Sequence, residues 1–555
     1  MGDGVISNDV ATDVLVMMIV AVNQSWKIPV GHFFITGLSG MTRAKLVKDC
    51  LQRCQSANIH VVNVTCDGPT CNMSMLKCLG VSLDPYNFKP WIKLSESSKK
   101  VHVLLDPVHM LKLIRNSLGE LRVLKYGHQL IKWEYIVKLN DMQNRCQMLV
   151  ANKLSNKHIN YHTQKMKVRL AVQTLSNSVA DAIDYCRDNL GLEEFAGSEA
   201  TTEFIRIFDK TFDLFNSRSY YGKDYKAAMT LKNYEKLKQF MDQARDYILQ
   251  LQLSDGNSLI TSRRKTGFLG FLLDFSSVQG IFEETVLTGD LKYLLTYKLS
   301  QDHLETYFGG VRAKNGTCDN PTTVQFKQSM QKLFLKPQGN VVKGENTILQ
   351  DETELLHIHD VSDEKYFDEK FKMNDIEKSL PFMEVNSDAI NLSDCQNSVV
   401  EYIAGYVSKK LRQILTCQAC IKETQSNQKT SDFIAMKSKR FLTYPSQDML
   451  TICILCEKEI QIITEVKNFF VASLINIAVA KVLSEIFEKH PTCFANLDDH
   501  SLNFGPLANH KLILIKRICQ IYLKVRLHIL AKKKTINLKK HCRKKLSKLI
   551  HFKGE

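Results

Sequence analysis

The sequence predicts a mixed α/β layer interrupted by a long helical insertion and followed by a mostly helical carboxyl-terminal region. Three observations carry this. Apolar or β-branched runs bounded by turn residues recur through the first hundred positions and read as strands. From about residue 119 to 285 long helical periodicity replaces them, and a strand-like run returns only at Tyr293 to Lys298. After an acidic, weakly periodic stretch, helical spacing dominates again. At 555 residues, 44% hydrophobic and 24% charged, the chain should hold several cores, which excludes a mostly disordered, collagenous or coiled-coil protein.

The elements follow in order. Residues 12–22 and 26–35 form a strand pair divided by the turn-like Asn23-Gln24-Ser25. Thr42 to Ser56 places Ala44, Leu46, Val47, Leu51 and Cys54 on one helical face, and Ile59 to Val64 is a β-branched strand that ends at Thr65-Cys66-Asp67-Gly68. Val101 to Leu105 is a further strand, and Asp106-Pro107 opens a helix because proline suits the first helical position. Long helices are expected over Val168 to Tyr185 and Tyr225 to Leu253, and another over Asp302 to Val311. These divide the chain into a first α/β part (1–118), a helical insertion (119–288), a second α/β part (289–338), an acidic linker (339–399), a helical domain (400–510) and a basic tail (511–555).

Lys and Arg number 74 against 58 Asp and Glu, a net charge of +16 that favours a polyanionic partner over a small metabolite. The surplus is local: fifteen basic residues face one carboxylate from Lys511 to Glu555, whereas 339–400 holds fourteen carboxylates and five lysines. The tail's Lys532-Lys533-Lys534 and Lys539 to Lys545 suit nuclear import and salt-sensitive phosphate contact. The apolar run Val14 to Val22 falls far short of the ~20 residues that cross a bilayer, and the amino terminus has no basic signal-peptide end, so neither membrane nor secretion is expected. The sixteen cysteines then read as reduced thiols, some of them candidate metal ligands.

Asp67 ends a buried-looking strand, where an α/β sheet presents groups to a ligand, although Asp-Gly alone is also an ordinary turn. On the helix from Asp302, residues Leu304, Phe308 and Val311 share an apolar face while Asp302 and Glu305 share another. Carboxylates gathered from distant positions repel one another unless cations hold them, and oxygen donors suit Mg²⁺ or Mn²⁺, the ions of in-line phosphoryl displacement. After Asp106, residues His109, Lys112, Arg115 and Asn116 recur at helical spacing and could hold phosphate, or form a plain solvated face.

Three segments resemble the P-element-type transposases, the vertebrate THAP-domain members in particular: Val64 to Asn72, the block Asp106-Pro-Val-His109-Met-Leu-Lys112-Leu-Ile-Arg115-Asn116, and Gln301-Asp302-His-Leu-Glu305-Thr-Tyr-Phe-Gly309-Gly-Val-Arg312. The resemblance implies an RNase H-like catalytic core interrupted by a helical insertion, and metal-dependent cut-and-paste DNA transposition. Asp67 then matches the second catalytic aspartate and Glu305 the glutamate, both Mg²⁺ or Mn²⁺ ligands. The Asp106-x-x-His109 pair is similar to a motif whose histidine holds DNA near the cut. The first catalytic aspartate belongs on an opening strand roughly 70 residues earlier, and only 66 residues precede Asp67. Asp3, Asp9, Asp13 and Asp49 stand in the wrong context, so that strand and the THAP zinc finger are expected to be missing and strand cleavage impaired.

The same family carries a GTP-binding insertion, and Phe212 to Arg218 resembles its guanine-contacting segment, suggesting Asp213 and Asn216, with Asp302 by family position. The alternative for Asp213 and Asn216 is a solvated helix end, and no G-x-x-x-x-G-K-[ST] loop is present. Cys417-x-x-Cys420 and Cys453-x-x-Cys456 supply the four thiolates of a structural zinc site, or else the second pair is buried as small hydrophobes in its apolar helix. DNA is the expected partner, a homo-oligomer follows from the resemblance alone, and the nucleus is the expected compartment. Two rivals remain: a noncatalytic nuclear DNA-binding protein derived from a transposase, and a guanine-nucleotide-binding interaction module.

Overall fold

The computed structural model describes residues 10–95, 98–151, 153–315, 320–335, 390–426, 428, 431–437, 442–465, 471–498 and 509–546. Two compact units divide the chain, one formed by 1–140, 153–187 and 193–351, the other by 141–152, 188–192 and 352–555.

The first unit opens with the expected hairpin of β1 (Asp13–Val20) and β2 (Lys27–Ile35). Its antiparallel register shifts between Met17 and Met18, where Pro29 pairs with Met18 and cannot donate to the ladder. Helix α1 (Gly40–Ser56) is capped by the Ser39 hydroxyl and leads to β3 (Asn63–Cys66) and α2 (Thr70–Cys78). Then come the short hairpin of β4 (Ser82–Asp84) and β5 (Asn87–Lys89), β6 (Trp91–Ile92) and β7 (Val101–Leu105). β7 is buried at every residue, His102 included, as a strand covered on both faces requires. It pairs in parallel with β3 and antiparallel with β6. Among the described residues β1 bonds only to β2, and β3 only to β7, so each keeps an edge without a strand partner.

Asp106 ends β7 and caps α3 (Pro107–Leu121), its carboxylate accepting the His109 N–H at 3.0 Å. The insertion begins not with a helix but with a hairpin of β8 (Val123–Tyr126) and β9 (Gln129–Lys132). Helices α4 (Glu134–Arg145), α5 (Asn156–Ile159), α6 (Val168–Thr174) and α7 (Asn177–Asp184) follow. The helix expected over Val168 to Tyr185 is therefore two, broken at Leu175-Ser176, where Ser176 starts α7 in extended geometry. Next are α8 (Glu199–Phe215), α9 (Tyr234–Gln250) and β10 (Leu251–Leu253), which closes the small sheet on β8. Asn233 folds onto the Ala228 carbonyl and the Thr230 amide, so the helix expected from Tyr225 starts only at Tyr234. α10 (Thr266–Thr285) packs across α3 and β7, and its Phe268, Phe271 and Phe275 interleave with Phe208 and Phe215 of α8.

The strand expected at Tyr293 to Lys298 is absent. Leu294 makes one isolated bridge to Met229, and Thr296–Leu299 winds into a 3₁₀ turn. α11 (Asp302–Lys314) and α12 (Thr323–Leu335) follow, and Val311 and Phe326 pack with Val16 against Phe34, Leu304 and Phe308. The apolar face anticipated for α11 is thus the one that carries the hairpin.

The second unit is helical. α13 (Asp394–Ile414) starts six residues earlier than expected, because Ser393 and Gln396 form a reciprocal capping box. Residues 339–389 of the expected linker lie outside the described residues. α14 (Gln418–Glu423), α15 (Asp432–Lys437), α16 (Gln447–Glu465), α17 (Val471–Lys489) and α18 (His510–Leu546) complete it. The start of the basic tail is core rather than appendage: Leu514, Ile515, Ile518, Tyr522 and Leu523 of α18 are buried against the unit. Among the described residues no helix is long and apolar enough to cross a membrane.

Candidate functional site

Parallel pairing of β3 with β7 sets Cys66 opposite Leu105, so Asp67 and Asp106 leave the sheet side by side at its carboxyl edge. The chain before α11 is fastened to that same edge. The Thr65 hydroxyl donates to the Leu299 carbonyl (2.6 Å), and the Gln301 N–H donates to Asp106 Oδ1 (3.2 Å). The Lys298 ammonium also donates to the carbonyls of Ala21 (3.2 Å), Val22 (3.1 Å) and Gln24 (2.6 Å), tying the hairpin turn to the same segment. The first turn of α11 therefore brings Asp302 and Glu305 to the strand ends. Glu305 lies within the electrostatic reach of Asp67, 238 positions earlier.

Gly68 has a packing reason beyond its turn, because a Cβ there would sit 2.9 Å from the Thr266 methyl at the start of α10. Asp67 is oriented by a relay: Arg43 donates to Asn72 Oδ1 (3.2 Å), and Asn72 Nδ2 donates to Asp67 Oδ1 (2.7 Å).

Burial first, and then neighbouring charge, sets the electrostatics. Burial raises the Glu305 carboxyl, Lys112 draws it down, and Asp302 and Asp67 raise it again. Burial also raises Asp302, opposed by its 2.9 Å ion pair with Arg218. Asp106 is pushed up to about 7, by burial above all, with the Gln301 amide opposing and Asp302 and Glu305 adding to the rise. Behind it Asp274, fully buried, is raised well above the usual carboxylate range and accepts the Leu105 N–H at 2.8 Å. Lys112 is 3% exposed, and its charge acts on both Glu305 and Asp302. Burial holds His109 below the usual imidazole range, and Asp67 pulls it back upward.

Carboxylate oxygens are the donor type a hard divalent ion takes, but among the described residues no three of these carboxylates bring their oxygens within 4.8 Å of one another. Asp67 commits one oxygen to Asn72, and among the described residues no hydrogen bond reaches its other oxygen or the Glu305 carboxylate. Asp106 and Asp302 fit less well, since Asp106 accepts two backbone amides and Asp302 holds Arg218.

The structure does not keep the whole expected phosphate face together. His109 and Lys112 join the carboxylates, but Arg115 is 0% exposed. The insertion covers it: its guanidinium lies over the Tyr161 ring (4.9 Å) and donates to the Lys165 carbonyl and to Asn116 Oδ1. Arg115 and Asn116 are thus bonded into the packing of α3 against the insertion. Asp213 pairs with Lys226 at 3.3 Å, and Asn216 caps α8 while accepting from Arg218 Nε at 2.9 Å. Asp302 stands with the strand-end carboxylates and is joined to Asn216 through Arg218.

The four thiols do not form one cluster. Cys453 and Cys456 are buried in α16 beside Cys519, where burial pushes both far above the usual thiol range, in keeping with the small-hydrophobe reading. Cys417 and Cys420 stand instead with His510. The orienting pair Arg43 and Asn72, the buried Asp274 and the Arg218 bridge were missed in the sequence. Only Asn72 carried a signal, its place five residues after Asp67.

Comparison with known proteins agrees with this fold. Residues 1–80 and 297–331 match the amino- and carboxyl-terminal halves of the TNP-like RNase H domain, the two segments that meet at the strand ends. Residues 108–228 match the TNP-like GTP-binding insertion domain, and 391–532 the carboxyl-terminal domain of DNA transposase THAP9. The Drosophila P element transposase strand transfer complex has a similar fold, with a TM-score of 0.52 and 24% identity over 58% of this chain and 70% of that one. The fold is that of a TNP-like RNase H core with an inserted domain.

Human DNA transposase THAP9 is 27% identical over 544 residues, covering 93% of this chain and 59% of that protein. The Drosophila transposable element P transposase is 26% identical over 393 residues, 70% of this chain and 50% of that protein. The chain is homologous to both. It spans between half and three-fifths of the length of these relatives.

Proposed function

We propose that this chain carries out metal-dependent DNA strand cleavage and transfer of the cut-and-paste type. The observation that supports it is the convergence of Asp67 and Glu305 at the carboxyl edge of the β3–β7 pair, with Lys112 and His109 beside them. Bound Mg²⁺ or Mn²⁺ would supply activation of the attacking oxygen and stabilisation of the leaving one. Asp67, held by Asn72, and Glu305 would be its ligands. His109 would contact the strand being cut, and Lys112 would neutralise charge that accumulates beside the phosphate. The insertion would bind GTP at Asp213 and Asn216, and Arg218 would relay that occupancy to Asp302 at the start of the catalytic helix. The protein would act in the nucleus, on duplex DNA, with the lysine-rich end of α18 adding salt-sensitive affinity.

The test is Mn²⁺-dependent nicking of supercoiled plasmid by the full chain beside Asp67→Asn and Glu305→Gln. Loss of at least a hundredfold in both variants is expected, on the scale of removing a ligand from a metal-assisted displacement. Equal activity in all three overturns the assignment. A noncatalytic DNA-binding reading is favoured by one specific observation, that Asp106 and Asp302 are already committed and leave two available carboxylates. Plasmid binding that survives in a chain without nicking selects that reading. Isothermal titration with GTP, repeated on Asn216→Ala, tests the insertion, and no heat at millimolar nucleotide removes that part.

A further inference from the structure

Within the helical unit, and apart from every residue of the proposed reaction, two thiols and an imidazole from well-separated positions meet. Cys417 is the residue that leads into α14, Cys420 lies one turn inside it, and His510 is the first residue of α18, ninety positions beyond Cys420. Their ligand atoms all lie within 4.8 Å of one another, the only group of three or more such atoms among the described residues. Cys420 Sγ stands 3.6 Å from His510 Nδ1. A tetrahedral ion with Zn–S of about 2.3 Å and Zn–N of about 2.0–2.1 Å sets sulfur and nitrogen about 3.6 Å apart. Cys420 is 3% exposed, whereas Cys417 and His510 are partly exposed, so the cluster has an inner wall and an outer opening.

We infer that Cys417, Cys420 and His510 bind a zinc ion that fastens α14 to the beginning of α18. Two thiolates and an imidazole are a donor set that selects zinc over the hard ions suited to Asp67 and Glu305. The outer opening leaves a fourth position for water or for the nearby Glu423 carboxylate, whose charge acts on Cys420. Binding releases the two thiol protons to solvent and forms two Zn–S bonds and one Zn–N bond, with no redox partner needed. The C-x-x-C spacing alone cannot reveal this site, because its third donor lies ninety residues away and carries no local pattern.

The experiment is metal analysis of the full chain, purified with reductant and without chelator, by inductively coupled plasma mass spectrometry. About one zinc per chain is expected in the wild type and in the exposed-thiol control Cys78→Ser, falling to below about a tenth in Cys420→Ser and His510→Ala. Cobalt titrated into chelator-stripped wild type should give tetrahedral d–d bands and a thiolate charge-transfer band, and removal of the metal should lower the thermal midpoint. If the variants fail to fold, alkylation mapping of the wild type decides: Cys417 and Cys420 should resist iodoacetamide until chelator is added. Wild type without zinc and without the cobalt spectrum overturns the site. So does a Cys417–Cys420 disulfide, and so does full metal content in His510→Ala.

Discussion

Two clusters of buried charge, one in each unit, are compensated in opposite ways. In the helical unit Glu457 is 1% exposed, yet every demand of its carboxylate is met: Arg526 donates twice at 2.7 Å and the Tyr522 hydroxyl once at 2.9 Å. In the α/β unit Asp67, Asp106, Asp274, Asp302 and Glu305 stand near one sheet edge, where Lys112, Arg218 and Arg312 are the cations that act on Asp302 and Glu305, and burial raises the last four of these carboxyls. A charge cluster built for stability satisfies itself, whereas one built for a ligand remains under-compensated until the ligand arrives. On the proposed function, a divalent ion would complete the second cluster.

The largest expected effect tests the self-satisfied cluster. Arg526→Met leaves Glu457 buried without its cation and should destabilise the helical unit by about 3–5 kcal/mol, read as a lower midpoint in urea denaturation. Arg526→Met combined with Glu457→Met should recover most of the loss, since an apolar pair of similar volume is often no worse than a buried ion pair. A double variant as unstable as the single one would break the comparison on this side.

Asp274 offers a smaller effect of opposite sign. Its folded pKa is raised, so the folded chain holds a proton that the unfolded chain releases once the pH exceeds its ordinary value of 3.8. That contribution is complete below the unfolded pKa and is lost as pH rises toward the folded one. Asp274→Asn keeps an acceptor for the Leu105 N–H and cannot ionise. Its stability relative to wild type should therefore rise between pH 5 and 8, by up to about 1.4 kcal/mol per unit. A difference that is flat with pH would show that Asp274 is not held protonated.

Much of this was legible in the sequence, and the remainder was illegible for identifiable reasons. The hairpin and the β7-to-α3 junction follow from apolar runs and Asp-Pro chemistry, both of them local signals, whereas the pairing of Asp67 with Glu305 was expected from the resemblance. The break at Ser176 and the late start of α9 turn on single side chains that compete for backbone groups, which periodicity averages away. Arg115 looked solvent-facing because helical spacing shows which residues share a face and not what covers it; Tyr161 and Lys165 come from another element. Tyr293 to Lys298 has a strand's composition but lacks a neighbouring edge beyond one bridge, and composition cannot supply a partner. The lysine-rich end obscured the apolar first half of α18, since charge counted over the whole tail averages a buried face with its continuation.

The smallest change in stability should come from Glu305→Gln, and it is the sharpest test of the under-compensated cluster. Burial already disfavours the ionised form of Glu305, and Asp302 and Asp67 add repulsion, so a neutral amide of the same shape relieves cost in the metal-free protein. Lys112 keeps Asp302 within its electrostatic reach and is not stranded by the change. The expected outcome is a stability equal to wild type or higher by less than about 1 kcal/mol without divalent ions, measured by urea denaturation. Millimolar Mn²⁺ should then stabilise the wild type and leave Glu305→Gln unmoved, because an ion that binds only the folded chain shifts its stability by mass action. Were Glu305→Gln to lose several kcal/mol in the absence of metal, Glu305 would be a structural charge of the Glu457 kind, and the two clusters would not differ as argued.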